Sequence, residues 1–177
     1  MFKNLTVGLI AAINPAGIYS CEGIIPWYIS ADLKNFKLIT NGDGDESNVV
    51  IMGRITRKTT PFLKGRINIT VSSTTEESDN NLVASSIEEA IEKAQKINPE
   101  LKEVWLIGGK NIWEKGLKYA DKIILTVVDI EISDEKKDIL KSESLIPRNL
   151  LKQFSLSGIV CINSNDPKYK ILHLKRK

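Results

Sequence analysis

One histidine, two cysteines, a small charge excess and no long apolar run bound what this 177-residue chain can do. The lone His173 cannot build a histidine-rich metal site, and it sits in a strand-like run where a Ser-His-Asp relay has no place. Metal chemistry is therefore not expected. Cys21 and Cys161 lie far apart and outside any metal-ligand spacing, so they read as reduced thiols of a cytoplasmic protein. The apolar run 5–13, far short of the ~20 residues a membrane-crossing helix needs, predicts no membrane partner. Lys3 followed by that run could open a secretory signal. A buried strand explains it equally well, and the elements that follow decide for the strand. The net charge is only +3, and Lys175-Arg176-Lys177 carries much of it. A nucleic-acid binder shows a stripe or patch of cations on one face, so no nucleic-acid partner is expected.

What is present is an ordinary globular composition, 42% hydrophobic, of a length that suits one domain. Residues 5–13 read as a strand buried on both faces, because the apolar run does not alternate. Asn14-Pro15-Ala16-Gly17 breaks it, and a loop runs over 18–29. Ser30 is expected to cap a helix whose buried face is Leu33, Phe36, Lys37 and Ile39-Thr40. Strands are expected at 49–52, 67–71, 82–84, 104–107 and 123–132. Helices are expected from Arg54 toward Thr60, from a Ser86 cap with Glu89 in capping-box position to about Ile97, and over 110–119. The segment 133–149 is charged and loop-like, and two strands close the chain, around 152–160 and 168–175. Strands alternating with helices predict a mostly parallel sheet covered on both faces, with an antiparallel pair at one edge. No internal repeat and no second domain is visible.

Three strand ends carry phosphate-friendly chemistry. Gly108-Gly109 follows a buried strand and precedes a helix, where ligands of open α/β sheets bind. The pair is not a GxGxxG fingerprint, and a purely structural turn explains it as well. Gly53-Arg54-Ile55-Thr56 repeats the arrangement, and Arg54 could pair with a phosphate. Ser72-Ser73 adds hydroxyls at the same rim. Together the three ends point to a dinucleotide more than any one does. Asp32, in the first turn of its helix, could simply favour the helix dipole. Beside Leu33 and Phe36 it could instead grip an amino-pyrimidine edge through two parallel hydrogen bonds, with its proton affinity raised by desolvation.

Ala11-Ala12, Pro26-Trp27, Ala31-Asp32-Leu33 with Phe36-Lys37, Val50 to Arg54 with Thr56, Leu63 with Gly65-Arg66, Ser72-Ser73, Ile107-Gly108-Gly109, and Leu125-Thr126 with Asp129 follow one another in an order and spacing that resembles the dihydrofolate reductases. The resemblance runs from about Leu5 to Asp129. It implies a single α/β domain over 1–177 with a central, mostly parallel sheet of about eight strands, an antiparallel edge and about four flanking helices. It also implies a monomer that reduces 7,8-dihydrofolate with NADPH. Asp32 would hold the pterin, Trp27 would help hold a water beside it, and Thr126 would join the same network. Ile10, Ala11, Ile25, Leu33, Phe36, Leu63 and Ile107 would line the folate pocket, and Arg66 would take the glutamate α-carboxylate. Arg54, Thr56 and Ser73 would surround the adenosine 2′-phosphate. Ala12, Ile18, Ser20, Gly53, Ile55, Ser72, Gly108, Gly109, Lys110, Asn111, Ile112 and Trp113 would complete the cofactor site. The segment from Ile18 to Ile25 would close over the nicotinamide, and a cis peptide would join Gly108 to Gly109.

The chain also departs from that pattern. Ser20 stands where the family commonly has glycine, Trp113 where the aromatic is usually tyrosine, and Asn111 where a basic residue is frequent. Asp134-Glu135-Lys136-Lys137-Asp138 replaces a Gly-Asp-Thr-like stretch that supports the closing loop, which predicts weaker closure. The stretch between Arg54 and Arg66 is one residue short of many members. Two other readings stand beside folate reduction: a related reductase of another heterocycle, and a non-catalytic binding protein. Pro26-Trp27, Asp32 and Arg66 together favour folate over the first. The altered stretch 134–138 is the only feature favouring the second.

Overall fold

β1 (Thr6–Ile13) lies inside the sheet, flanked on both sides by parallel neighbours. The computed structural model describes residues 5–21, 23–42, 48–78, 82–131, 146–147, 151–163 and 167–177. Around β1 stand β2 (Asn48–Gly53), β3 (Ile67–Val71), β4 (Leu82–Ala84), β5 (Glu103–Gly108), β6 (Lys122–Val128), β7 (Phe154–Asn163) and β8 (Tyr169–Arg176). They form one sheet in the order β4-β3-β2-β5-β1-β6-β8-β7. Pairing is parallel from β4 through β6 and antiparallel at β6–β8 and β8–β7. This is the mixed α/β sheet with an antiparallel edge that the sequence pattern predicts. Among the described residues the helices are α1 (Ser30–Asn41), α2 (Arg54–Thr59), α3 (Ile87–Ile97) and α4 (Lys110–Gly116). None among the described residues is long and apolar enough to cross a membrane.

The strands' unalternating apolar runs follow from coverage on both faces. Leu9, Ala11 and Ile13 of β1 join Val49, Ile51 and Leu106 in a core shared with α3 and α4. The intervening residues form the other core: Ile10, Val50, Met52, Trp105 and Ile124, with Phe36 and Ile39 of α1 packed against them. Successive strand side chains point to opposite faces, so one sequence run serves two layers.

Several boundaries differ from the sequence expectation. Ser30 is not the cap of α1: it already has helical geometry, and Ile29 occupies the cap position with no side-chain hydrogen bond. Ile29 is buried, so packing sets the entry of this helix. Ser86 does cap α3, accepting from the Glu89 amide at 3.1 Å, but the Glu89 carboxylate reaches back to the amide of Ser85, one residue before the cap. α4 stops at Gly116, short of 119, where Arg176 donates to the carbonyls of Leu117 and Ala120 and ends the helix in a turn. β6 stops at Val128, short of 132, because the Ile130 amide turns back to the Val128 carbonyl at 2.9 Å.

Candidate active site

Asp32 and Thr126 come from elements 94 residues apart and meet at the carboxyl end of β6. The Thr126 hydroxyl donates to Asp32 Oδ1 at 2.6 Å. Thr126 pairs with Ala12 in the β1–β6 register, on the face that carries Ile10 and Ile124 toward α1. Burial pushes the Asp32 carboxyl above the usual aspartate range, and the Thr126 bond offsets part of that rise. A carboxyl so placed can exchange a proton closer to neutral pH than a free aspartate can.

The walls are apolar. Ile10 is buried, and Trp27, Phe36, Leu63 and Ile107 are partly buried against the same core. The expectation that Leu33 and Lys37 lie in the buried face of α1 is corrected: Leu33 is 47% exposed and Lys37 is exposed, whereas Thr40, expected on the same face, is fully buried. Ile25 is 53% exposed. Ala11 does not face this cleft, since its side chain lies in the opposite core.

Arg66 is only 4% exposed. Its Nη1 donates to Thr40 Oγ1 at 2.8 Å, and its Nε donates to the Lys64 carbonyl at 3.3 Å. Burial lowers its pKa from the usual guanidinium value, yet a guanidinium remains charged at any ordinary pH. Both bonds end on neutral oxygens, and a buried cation held this way favours an anionic partner. Asn68, which the sequence reading overlooked, braces the same loop: its amide exchanges bonds with Leu63 and donates to the Arg66 carbonyl at 2.8 Å.

At the neighbouring strand ends, Gly53 and Gly108 close β2 and β5, and the Gly108-Gly109 peptide is cis. Gly108 adopts φ 122°, which disfavours any side chain, and a Cβ there would sit 3.1 Å from the Trp113 ring. Thr56 Oγ1 lies 3.4 Å from where a Gly109 Cβ would be, so the turn and the start of α2 approach closely. Ile112 and Trp113 are core residues: both are buried, and Trp113 Nε1 donates to the Leu106 carbonyl at 3.2 Å. Asn111 is exposed, and Lys110 pairs loosely with Glu114 at 4.0 Å. The aromatic that reaches the turn is Tyr19, absent from the sequence reading. Its ring meets Trp113 edge-on at 4.8 Å, and its hydroxyl accepts from the Lys110 amide at 3.3 Å.

Ser72 faces inward on its own turn, where Oγ accepts from the amides of Thr74 and Thr75, both at 3.1 Å. That turn borders a groove of about 570 Å³ between α2 and the end of β3, lined by Arg54, Arg57, Lys58, Thr60, Thr70, Thr74 and Thr75. Ser73 is exposed and outside it, and Ile55, 60% exposed, points away toward Gly23.

Residues Ile18 and Ser20 begin the expected closing loop, and both are buried. Asn14 anchors it: Oδ1 accepts from the Ile18 amide at 2.9 Å, and Nδ2 donates to the Ile130 carbonyl at 3.2 Å. The Ile146 amide donates to the Gly17 carbonyl at 2.9 Å, and Gly17 has φ 82°. The stretch Asp134 to Asp138, on which weaker closure was expected, lies outside the described residues.

Residues 6–143 match the family model described as dihydrofolate reductase. Among curated proteins, the chain is 32% identical to "Dihydrofolate reductase type 9" of Escherichia coli over 150 residues, covering 80% of this chain and 82% of that protein. It is 36% identical to a dihydrofolate reductase of Buchnera aphidicola over 133 residues, 72% of this chain and 75% of that one. A dihydrofolate reductase of Mycobacterium leprae is 34% identical over 139 residues, 76% of this chain and 79% of its own length.

Proposed function

The chain belongs to the dihydrofolate reductase family, and from that premise we propose that it reduces 7,8-dihydrofolate to 5,6,7,8-tetrahydrofolate with NADPH. The observation that carries the reading is the Asp32–Thr126 pair: a half-buried carboxyl with raised proton affinity, on the face of the sheet where Ile10, Phe36, Leu63 and Ile107 pack.

The reaction adds a hydride to carbon and a proton to nitrogen across one C=N bond of the pterin ring. NADPH, when bound, supplies the hydride. Asp32 grips the amino-pyrimidine edge, and its raised pKa lets it hold a proton at higher pH than a free aspartate can. The ring nitrogen takes its proton through a water that Asp32 organises. Ile10, Phe36, Leu63 and Ile107 exclude bulk water from the ring. Arg66, buried on neutral partners, takes the carboxylate of the substrate tail. The flexible-backbone turn at Gly108-Gly109, the approach of Thr56 and the cations of the adjoining groove suit an anionic dinucleotide laid across the ends of β5, β2 and β3.

The test is absorbance at the NADPH band with purified protein. NADPH oxidation that requires dihydrofolate is expected, and its absence with folded protein contradicts the reading. Oxidation with another heterocycle in place of dihydrofolate would instead identify the related-reductase alternative.

A further inference from the structure

The structure assigns Thr40 as a positioning residue that, through Arg66, fixes where along the substrate a carboxylate must lie, so that α1 selects ligands by the spacing between ring and anion. The inference rests on the reductase reading above and adds to it a residue and a length rule. Asp32, Phe36 and Thr40 stand at i, i+4 and i+8 of α1, on successive turns of one side. Asp32 meets Thr126, Phe36 packs against the core on that face of the sheet, and Thr40 meets Arg66. One helix therefore carries the ring-gripping carboxyl near its start and the anchor of the tail arginine near its end, about 12 Å apart along the axis at about 1.5 Å of rise per residue.

The polarity of its hydroxyl makes Thr40 an anchor. The residue is fully buried, and its single hydroxyl proton goes to the Phe36 carbonyl at 2.7 Å. Only oxygen lone pairs remain for Arg66, whose Nη1 donates to that oxygen at 2.8 Å. A second bond, from Nε to the Lys64 carbonyl at 3.3 Å, holds the other side of the guanidinium. The group is planar, so two fixed nitrogens set its plane and the direction of its remaining N–H groups. The loop that carries it is seated on the same end of α1: Gly65 has φ 75°, and a Cβ there would collide with the Asn41 side chain. Asn68 ties that loop down through the backbone of Leu63 and Arg66. Arg66 is itself buried, so it cannot follow a carboxylate that lies nearer or farther along the substrate without giving up both bonds.

The probes are folate, a diaminopyrimidine without a tail, and the series pteroylglycine, pteroyl-β-alanine and pteroyl-γ-aminobutyrate, whose carboxylate moves outward by a methylene at each step. Binding is titrated by fluorescence quenching against wild type, Thr40→Val and Thr40→Ser. Wild-type affinity is expected to be highest for pteroylglycine, whose carboxylate stands where the α-carboxylate of folate does, and to fall at each step. Thr40→Val keeps the shape and removes the acceptor. It is expected to weaken folate roughly fivefold, the size of a lost hydrogen bond, to flatten the series, and to leave the diaminopyrimidine within about twofold. In turnover it should raise KM for dihydrofolate more than it lowers kcat, since ground and transition states share the tail contact. Thr40→Ser, which restores the hydroxyl, should recover most of the loss. A flat series in wild type, equal weakening of folate and the diaminopyrimidine by Thr40→Val, or a Thr40→Ser no better than Thr40→Val overturns the proposal. If Thr40→Val does not fold, the wild-type series decides. Dihydrofolate-dependent NADPH oxidation by the wild type is scored separately: its absence removes the reductase reading, while the series and the Thr40 variants still decide the length rule.

Discussion

Two charged side chains do most of the work assigned to this cleft, and each is set by neighbours that are distant in sequence. Arg66 is oriented by Thr40, 26 residues away, and its loop is pinned by Asn68. If its role is the substrate tail, Arg66→Leu should weaken folate at least tenfold, the loss of a charge-assisted pair. It should leave a diaminopyrimidine without the tail within a few fold. Comparable weakening of both ligands in a fluorescence titration would make Arg66 a structural residue. Asp32 itself was legible, because a carboxylate in the first turn of an amphipathic helix is a local pattern. Thr126 was reached only through the family resemblance, since no spacing rule links positions 94 apart. Asn68 and Tyr19 were not reached at all, and Thr40 was read as part of a buried helix face but not as the partner of Arg66. Their roles depend on which loops fold against one another, and a buried threonine or asparagine carries no local signature of that.

At the scale of elements, the strands were readable and helix ends were less so. Unalternating runs such as Val49-Val50-Ile51 announce strands covered on both faces, and Ser86 with Glu89 announces α3. The start of α1 was misplaced by one residue because tertiary burial of Ile29 overrides the capping preference of Ser30. The loop after β1 is anchored through Asn14, Ile130 and Ile146, and the stretch 134–138, from which weaker closure was expected, lies outside the described residues. Asn14 is 3% exposed, so Asn14→Ala leaves the Ile18 amide and the Ile130 carbonyl without these partners. A cost of about 1–3 kcal/mol is expected, read as roughly tenfold or faster hydrogen exchange at the Ile18 amide. Because loops of this kind control opening and product release, turnover should change more than cofactor affinity. Unchanged exchange at Ile18 would show that the loop is held elsewhere.

Across the whole molecule, the strand order brings Asp32, the Gly108-Gly109 turn and the cationic groove to successive carboxyl ends of one sheet, so substrate and cofactor can meet over β1 and β5. Holding a carboxyl half-buried for this purpose opposes folding. Burial raises the folded-state pKa of Asp32 above the ordinary aspartate value of 3.8, so the protonated form is the one the fold favours. The penalty is absent below 3.8 and grows as pH rises through the raised folded value. Asp32→Asn should therefore melt above wild type at neutral pH, and the difference should vanish in acid as the wild-type carboxyl protonates. A mutant less stable than wild type at neutral pH would contradict the burial argument. The central claim, that Asp32 both grips the ring and manages its proton, is tested most directly by pH–rate profiles of wild type and Asp32→Asn with dihydrofolate and NADPH. The wild-type rate should fall as pH rises through the raised Asp32 pKa. The mutant should be slower by at least the roughly 10²-fold typical of lost acid–base assistance, and should recover as pH falls and solvent protonates the substrate. Wild-type turnover by Asp32→Asn at neutral pH would contradict the account.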